Sequence, residues 1–277
     1  MSGYVKTDEE LRRIKAVMTP FRYVIDELGI TFETTWEFAR WVLPPCFEPI
    51  GDKERNVATA SAAVYPIQCP HGDNYDVSQV GIGCRYEGYT GSWPMFMLHN
   101  TESHIALGRD IWGGAKKLGE SRLYHDGEAH YGYGERRGVK LVEIEAQIDG
   151  AEQTPMNSTS HVLYLKMIPH SSCVGLEWPP RLNIYEGEAS YKSYREGSGT
   201  LKLGTSKWDP VHTMPIASIG PAYVAEYEYT CSLADQLDIV GQDQVYARYL
   251  WGRSFDDPTL EHIAARWRSE TEVNEQA

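Results

Sequence analysis

The chain has little positive charge, little cysteine and no long hydrophobic run. Its 277 residues include 26 basic and 39 acidic side chains, which gives a formal net charge of -13. This balance argues against nucleic acid or an anionic membrane as the main partner, because both need a basic surface. No apolar run approaches the roughly 20 residues that span a bilayer. Residues 1–6 are polar where a secretion signal needs an apolar core, so we expect a cytoplasmic protein.

The sequence also offers no set of residues spaced as metal ligands. The five cysteines are scattered, and no Cys-x-x-Cys pair occurs, so neither a disulfide framework nor a zinc site is indicated. His99 and His104 lack partners at metal-ligand spacing, as do His125 and His130. Residues 81–83 (Gly-Ile-Gly) lack the third glycine of a dinucleotide site. The sequence therefore predicts no metal and no cofactor.

Helical patterns are few and short. Thr7 and Glu10 form a capping box at the start of an amphipathic segment. A proline at position 258 is well placed to open a last helix. The predicted helical segments cover residues 1–18, 35–43, 102–112 and 256–277, the last of them continuing into a polar tail.

Most of the remaining sequence has strand composition. Asp126-Gly127 is typical of a two-residue hairpin, and residues 136–138 lie between two further short strands. Other strands, several of them rich in tyrosine, are predicted over residues 21–34, 57–66, 77–89, 94–98, 161–168, 181–185, 191–203 and 223–231. Many short strands with few helices predict one β-rich α+β domain over residues 1–277, built as a barrel or a curved sheet with peripheral helices.

The most unusual stretch runs from Gly108 to Gly119 and places Lys116 beside Lys117. An ammonium group is strongly hydrated, so adjacent lysines normally face water. Here small residues precede the pair and leave room for a close approach, and apolar residues such as Trp112 flank it. A lysine pair by itself is typical of a solvated surface, so the segments around it decide whether it marks a site.

Both ends of this stretch resemble the signature of the acetoacetate decarboxylase superfamily, which is roughly G-R-E-x-x-x-x-P-K-K-L-G. The matching residues are Gly108-Arg109-Asp110, Lys116-Lys117-Leu118-Gly119 and, before them, Leu98-His99-Asn100. Residues 166–169 and 208–210 also fit segments of the family. The resemblance is strongest over residues 94–120 and is a looser outline elsewhere.

The resemblance implies a cone-shaped antiparallel β-barrel, a homo-oligomer and a lysine that forms a Schiff base with a keto acid. Lys116 matches that lysine and Lys117 its cationic neighbour, and the resemblance implies that both are catalytic residues. Only a free amine attacks a carbonyl, and a lysine pKa of about 10.4 leaves on the order of one amine in a few thousand neutral at pH 7. Adjacent side chains of an extended segment point to opposite faces. We therefore expect burial of Lys116, more than repulsion by Lys117, to lower its pKa.

The residues that select the reaction depart from the family pattern. Decarboxylases of the family carry an arginine in an early strand, where this chain has Ile25, with Arg22 as the nearby substitute. The family also has two glutamates. Small residues occupy the position of the first in this chain, and the position of the second corresponds to Asp76 or Val77, beside Tyr75. We predict Arg22, Tyr75 and Asp76 as substrate-binding residues.

Three functions remain open at this stage. A protonated imine accepts the electron pair released when a β-keto acid loses carbon dioxide, so decarboxylation is the first prediction. A branch of the superfamily joins pyruvate to an aldehyde and then dehydrates the product, with tyrosine as proton donor, and Tyr246 falls where that branch places its tyrosine. A non-catalytic ligand-binding protein is the third possibility. Retention of both lysines argues against it, because a buried amine is costly.

Overall fold

The computed structural model describes residues 3–70, 72–153, 156–241 and 243–256. The helix and polar tail predicted over residues 256–277 therefore lie almost wholly outside the described residues. The described helices are α1 (Asp8–Met18), α2 (Trp36–Val42), α3 (Glu102–Leu107), which continues into one π-helical turn (Gly108–Trp112), a 3-10 turn (Val211–Thr213) and α4 (Asp243–Ser254). In the described part of the chain, no helix is both long enough and apolar enough to cross a membrane.

Strands make up most of the rest of the described chain. They are β1 (Phe21–Thr34), β2 (Glu48–Pro49), β3 (Gly51–Asp52), β4 (Val57–Gln68), β5 (Tyr75–Tyr86), β6 (Tyr89–His99), β7 (Lys116–Leu118), β8 (Glu120–Asp126), β9 (Ala129–Arg136), β10 (Val139–Gln147), β11 (Asn157–Lys166), β12 (Arg181–Leu203) and β13 (Ser218–Asp238). The predicted β-rich α+β class is confirmed. The two segments predicted over 181–185 and 191–203 are parts of one continuous strand, β12.

Seven of the described strands close into a ring. Their order is β6-β5-β4-β1-β13-β12-β11, and β11 then pairs with β6 in parallel where Val162 meets Ser92. The antiparallel barrel implied by the resemblance is matched only in part, because β6 also pairs in parallel with β7. The reason is that α3 carries the chain back along β6 before β7 begins, so both strands run in the same direction.

The ring wall separates two apolar clusters. The outer cluster contains Leu28 and Val64 and is covered by the sheet of β8, β9 and β10. In this sheet β10 pairs with the C-terminal part of β12. The inner cluster contains Ile25, Tyr65 and Val77 and faces the inside of the ring. Because successive strand residues point to opposite faces, each ring strand contributes to both clusters.

Local sequence signals explain the helix ends near the site. The capping box between Thr7 and Glu10 is present at the start of α1. The π-helical turn after α3 ends at Gly113, whose φ of 92° is readily available only to glycine, as the glycine pair predicts. Helix α4 is not predicted from the sequence, because its buried residues Tyr246, Ala247 and Leu250 lie among polar ones without a continuous apolar stripe.

Candidate active site

Strand β7 places the two adjacent lysines on opposite sides of the ring wall. Lys116 is opposite Met97 of β6, and Lys117 is opposite Leu98. Met97 belongs to the inner cluster and Leu98 to the outer one. Both lysines are nonetheless buried, with 5% and 6% of their surface exposed. A strand of three residues thus delivers one amine to the inside of the ring and one to its outside.

The turn before β7 shapes the space around Lys116. The backbone N–H groups of Gly113 and Gly114 both donate to the carbonyl oxygen of Gly108 at 2.9 Å, which folds the chain tightly back. The Lys116 side chain then lies directly over Gly108, where a Cβ atom would clash with its Cδ and Cε atoms. The small residues in the sequence signature therefore leave room for the aliphatic part of Lys116.

Lys116 lines a cavity of about 260 Å³ inside the ring. The polar lining is dominated by tyrosine, and apolar residues fill the spaces between. The tyrosines are Tyr23, Tyr65, Tyr75, Tyr164, Tyr191, Tyr227 and Tyr229. The remaining polar side chains of the described lining are Glu27, Gln79, Ser92, His99, His104, Ser158 and Ser160. No arginine belongs to this lining in the described part of the chain.

Burial lowers the pKa of Lys116 from its ordinary 10.5 to about 7. No carboxylate lies within ion-pair distance of its amine among the described residues, and its Nζ atom is 5.5 Å from the centre of the Trp112 ring. Desolvation disfavours the charged form of an amine, and no ion pair with a described residue opposes it here. The predicted cause of the shift, burial more than the neighbouring lysine, is confirmed. A large fraction of the Lys116 amine is therefore neutral near pH 7.

Lys117 belongs to a buried ion-pair network outside the ring. Its Nζ atom lies 2.8 Å from Oδ1 of Asp209, a residue of which almost nothing is exposed. Arg136 contacts the other carboxylate oxygen of Asp209 at 2.7 Å and also pairs with Asp256 at 2.9 Å. Removing one partner of such a pair leaves a buried charge uncompensated. In this structure Lys117 has a structural environment and does not line the cavity inside the ring, although both lysines border a second pocket beside Arg136 and Asp256.

Of the three predicted substrate-binding residues, only Tyr75 lines the cavity. Its ring stacks between His104, at 3.8 Å between centroids, and His99, at 5.3 Å. Asp76 follows it on the opposite face of β5 and pairs with Arg122 at 3.1 Å. Arg22 is exposed on the outer side of β1. The structure therefore does not bring Asp76 or Arg22 together with Lys116, because strand alternation turns both away.

Tyr246 is also absent from the cavity lining. It is a buried residue of α4 in the outer cluster, where its hydroxyl group interacts with Cys46. Burial raises the pKa of this hydroxyl, so Tyr246 is a poor acid where it lies. The prediction that it acts beside Lys116 is not supported by its position, because the ring wall separates the outer cluster from the cavity.

Glu27 is a cavity residue that the sequence reasoning missed. It is 8% exposed and accepts hydrogen bonds from the hydroxyl groups of Tyr223, at 2.7 Å, and Tyr227. Burial raises the pKa of Glu27, and the two tyrosine hydrogen bonds partly offset that rise. The signal that could have found it is alternation along β1, since Tyr23, Ile25 and Glu27 share one face.

His99 is the second missed residue. It is 1% exposed, and neither of its ring nitrogens has a hydrogen-bond partner among the described residues. Burial, followed by the nearby charge of Lys116, lowers the pKa of His99, so the imidazole is neutral. An unpaired buried polar group costs on the order of 1–3 kcal/mol. His99 therefore offers a free donor and a free acceptor to a molecule in the cavity.

The cavity thus combines a nucleophilic amine, a neutral imidazole, a carboxyl group and several phenols behind apolar walls. Its titratable groups are suited to covalent and proton-transfer chemistry on a small carbonyl compound. Within the described ranges, no group of three or more His, Cys, Asp or Glu side chains is arranged to hold a metal ion.

Comparison with known proteins agrees with this geometry. The acetoacetate decarboxylase of Paraburkholderia xenovorans (strain LB400) is 29% identical over 242 residues, which are 83% of this chain and 92% of that protein. The acetoacetate decarboxylase of Bordetella avium (strain 197N) is 30% identical over 213 residues, which are 73% of this chain and 82% of that protein.

Solved structures share the fold. The acetoacetate decarboxylase of Legionella pneumophila superimposes with a TM-score of 0.71 at 17% identity, covering 87% of this chain and all of the other. The enduracididine biosynthesis enzyme MppR complexed with pyruvate has a TM-score of 0.64 at 17% identity, covering 79% of this chain and 90% of the other. A sequence model of the acetoacetate decarboxylase family matches residues 12–250. The chain therefore belongs to the acetoacetate decarboxylase family.

Proposed function

We propose that the protein is a carbon–carbon lyase in which Lys116 forms a Schiff base with a β-keto acid and releases carbon dioxide. The observation that carries the proposal is the buried Lys116 amine with a pKa of about 7 at the wall of the cavity inside the ring. An unperturbed lysine would be almost fully protonated at neutral pH and could not attack a carbonyl. Activation of a lysine by desolvation is the mechanism for which acetoacetate decarboxylase is the usual example.

The reaction follows from the amine. The nitrogen of Lys116 attacks the keto carbon, water leaves, and a protonated imine forms. The bond to the carboxylate carbon then breaks, its electron pair moves into the imine, and carbon dioxide departs. The resulting enamine takes a proton on carbon, and water hydrolyses the new imine to free the ketone and the amine. The net change is the loss of carbon dioxide and the uptake of one proton.

The walls of the cavity favour this bond cleavage. Within the described lining, Lys116 is the one lysine and there is no arginine, so no other cationic side chain is available to hold the substrate carboxylate. A carboxylate in such an apolar space is poorly stabilised, whereas the transition state spreads its charge toward the imine. The free nitrogens of His99 can still orient the substrate by hydrogen bonding without adding charge.

A second candidate is an aldolase–dehydratase that joins pyruvate to an aldehyde through the same imine. It is favoured by the tyrosine hydroxyl groups that line the cavity, because tyrosine can donate and accept protons in such a reaction. The similar fold of MppR, solved in complex with pyruvate, is consistent with this candidate.

Reductive trapping separates these candidates. The protein is incubated with acetoacetate or pyruvate, treated with borohydride, and mapped by mass spectrometry. We expect an adduct on Lys116, absent in Lys116→Met and retained in a control variant of the half-exposed Lys192, Lys192→Met. Release of carbon dioxide from acetoacetate selects the decarboxylase. A pyruvate adduct that turns over only with an added aldehyde selects the aldolase. No adduct with any keto acid would exclude both.

A further inference from the structure

We propose that Glu27 is the acid that delivers the proton to the enamine carbon. The inference rests on the proposed Lys116 imine and adds a catalytic residue to it. Neither of the carboxylate positions expected from the family pattern supplies such a group here: one falls on small residues, and Asp76 lies outside the cavity in an ion pair with Arg122. Glu27 is the one carboxyl group in the described lining of the cavity.

Glu27 and Lys116 lie on facing walls of the ring. Lys116 is carried by β7 alongside β6, and Glu27 belongs to β1. The ring order places β1 three strands from β6 in one direction and four in the other, so the two strands are as far apart around the ring as it permits. Both side chains nevertheless line the same cavity. A substrate attached to Lys116 therefore occupies a space that Glu27 also lines.

The surroundings of Glu27 suit a group that gives up a proton and then holds a negative charge. No cation lies within ion-pair distance of its carboxyl group among the described residues, so burial favours the protonated form. Tyr223 and Tyr227 of β13 donate hydrogen bonds to its two oxygen atoms. Such bonds strengthen when the acceptor becomes charged, and they stabilise the carboxylate that remains after proton transfer.

Burial makes several phenols of the cavity poorer proton donors. Burial raises the pKa of Tyr65, Tyr227 and Tyr229, which makes their hydroxyl protons harder to remove. Neutral His99 has no readily released proton. The groups that face Glu27 from neighbouring strands are all phenols: Tyr65 from β4, Tyr191 and Tyr194 from β12, and Tyr223 and Tyr227 from β13.

The step balances without any further reactant. The electron pair of the broken carbon–carbon bond, held in the enamine, takes the carboxyl proton of Glu27. A new carbon–hydrogen bond forms, the enamine becomes a protonated imine, and Glu27 becomes a carboxylate. Hydrolysis of the imine consumes one water molecule and frees Lys116. Glu27 regains its proton from solvent before the next turnover, which accounts for the one proton consumed in the overall reaction.

The direct test is Glu27→Gln, with Asp26→Asn as the matched control. Asp26 is the adjacent carboxylate on the opposite, exposed face of β1. We expect Glu27→Gln to form the Lys116 adduct with pyruvate as the unchanged protein does and, with acetoacetate, to release a rapid burst of one carbon dioxide per site. Steady-state ketone release should then fall on the order of 10²- to 10⁴-fold, the range for loss of a general acid. Asp26→Asn should leave all three readouts unchanged.

The outcomes distinguish failure of the Glu27 proposal from failure of the proposed Schiff-base function. No adduct in the unchanged protein would defeat the proposed function itself. If both proteins form the adduct and release ketone at rates within threefold of each other, Glu27 is not the acid. That result would leave the proposed function standing. Loss of both the adduct and the burst in folded Glu27→Gln would also overturn the role of Glu27, because an acid that acts after bond cleavage is not needed earlier.

A second variant keeps the inference testable if Glu27→Gln fails to fold. Tyr223→Phe removes one hydrogen bond that stabilises the Glu27 carboxylate. The acid must be protonated to act, so activity falls as pH rises through its pKa, and loss of the hydrogen bond raises that pKa. We expect the alkaline limb of the rate profile to move to higher pH, with several-fold slower turnover and an unchanged burst. An unmoved limb with full turnover would overturn the proposal.

Discussion

The two faces of β7 give two adjacent lysines opposite environments. Inside the ring, Lys116 is buried without a counter-ion, and its pKa falls to about 7. Outside the ring, Lys117 is equally buried but lies 2.8 Å from Asp209 within a network of five charged side chains. Burial alone therefore does not decide what a lysine does. The carboxylate partner on one face holds Lys117 in an ion pair, and without such a partner on the other face burial lowers the pKa of Lys116.

The largest expected effect that separates the two faces is loss of activity in Lys116→Met. Removal of a covalent nucleophile typically costs on the order of 10⁴-fold or more in rate. We expect turnover of the keto acid to be abolished at that level while the protein stays folded. The measurement is the turnover rate at saturating substrate. Residual activity within tenfold of the unchanged protein would show that another group is the nucleophile.

The same substitution should stabilise the fold at neutral pH. A pKa near 7 in place of 10.5 means that the charged amine lowers the free energy of unfolding by roughly 5 kcal/mol, at about 1.36 kcal/mol per pKa unit. Because the folded-state pKa is lowered, this destabilisation is fully present below pH 7. It disappears as pH rises to 10.5, where the amine of the unfolded chain also loses its proton. Lys116→Met should therefore be more stable in denaturant at pH 7, and its advantage should shrink toward pH 10.5. An advantage independent of pH would contradict the lowered pKa.

Lys117→Met should do the opposite on the other face. It leaves Asp209 buried with Arg136 as its remaining close cation, and breaking a buried ion pair typically costs about 3–5 kcal/mol. We expect this loss in the free energy of unfolding, measured by urea denaturation, and a smaller loss in Lys117→Arg, which keeps the charge. A loss below about 1 kcal/mol in Lys117→Met would show that the network is not structural.

Gly108→Ala sharpens the comparison by changing the inner face alone. The new Cβ atom would clash with Cδ and Cε of Lys116, which must then move from its position. Misplacement of a reacting group by about 1 Å can cost roughly 10²-fold in rate. We expect a loss of that order in the rate of imine trapping, with thermal stability changed by only a few degrees. Gly88→Ala is the control, because nothing lies within 4 Å of a Cβ atom at that position.

The smallest expected effect comes from Arg22→Gln. Arg22 is exposed on the outer face of β1 and is not among the residues that line the cavity. We expect kcat and KM for the keto acid to stay within twofold of the unchanged protein. A clear rise in KM would mean that Arg22 reaches the substrate after all and that the cavity is not the whole binding site.

Much of the site could be predicted because the residues concerned are close together in sequence. The glycines before Lys116 indicate a tight turn, and an extended strand requires Lys116 and Lys117 to face apart. Alternation also explains two predictions that the structure does not support. Arg22 is three positions from Ile25, and Asp76 is one position from Tyr75, so neither can share the cavity face of its neighbour. Attention to strand parity would have replaced Arg22 with Glu27.

Other features depend on tertiary contacts that the linear sequence does not reveal. Asp209 lies 92 positions after Lys117, so their ion pair appears only once the ring has closed. Tyr246 follows the family outline, but α4 packs on the outer cluster, and the ring wall separates it from Lys116. The neutral, unpaired state of His99 likewise follows from its burial and not from any local motif.

The most direct test of the account is the pKa of the Lys116 amine. The initial rate at which an activated ester acetylates Lys116 is followed by peptide mass spectrometry from acidic to alkaline pH, in the unchanged protein and in folded Lys117→Met. The account predicts a midpoint near pH 7 in both proteins, because burial, not the neighbouring cation, lowers the pKa. A midpoint near the ordinary value of 10.5, or one that returns there when Lys117 is removed, would contradict it.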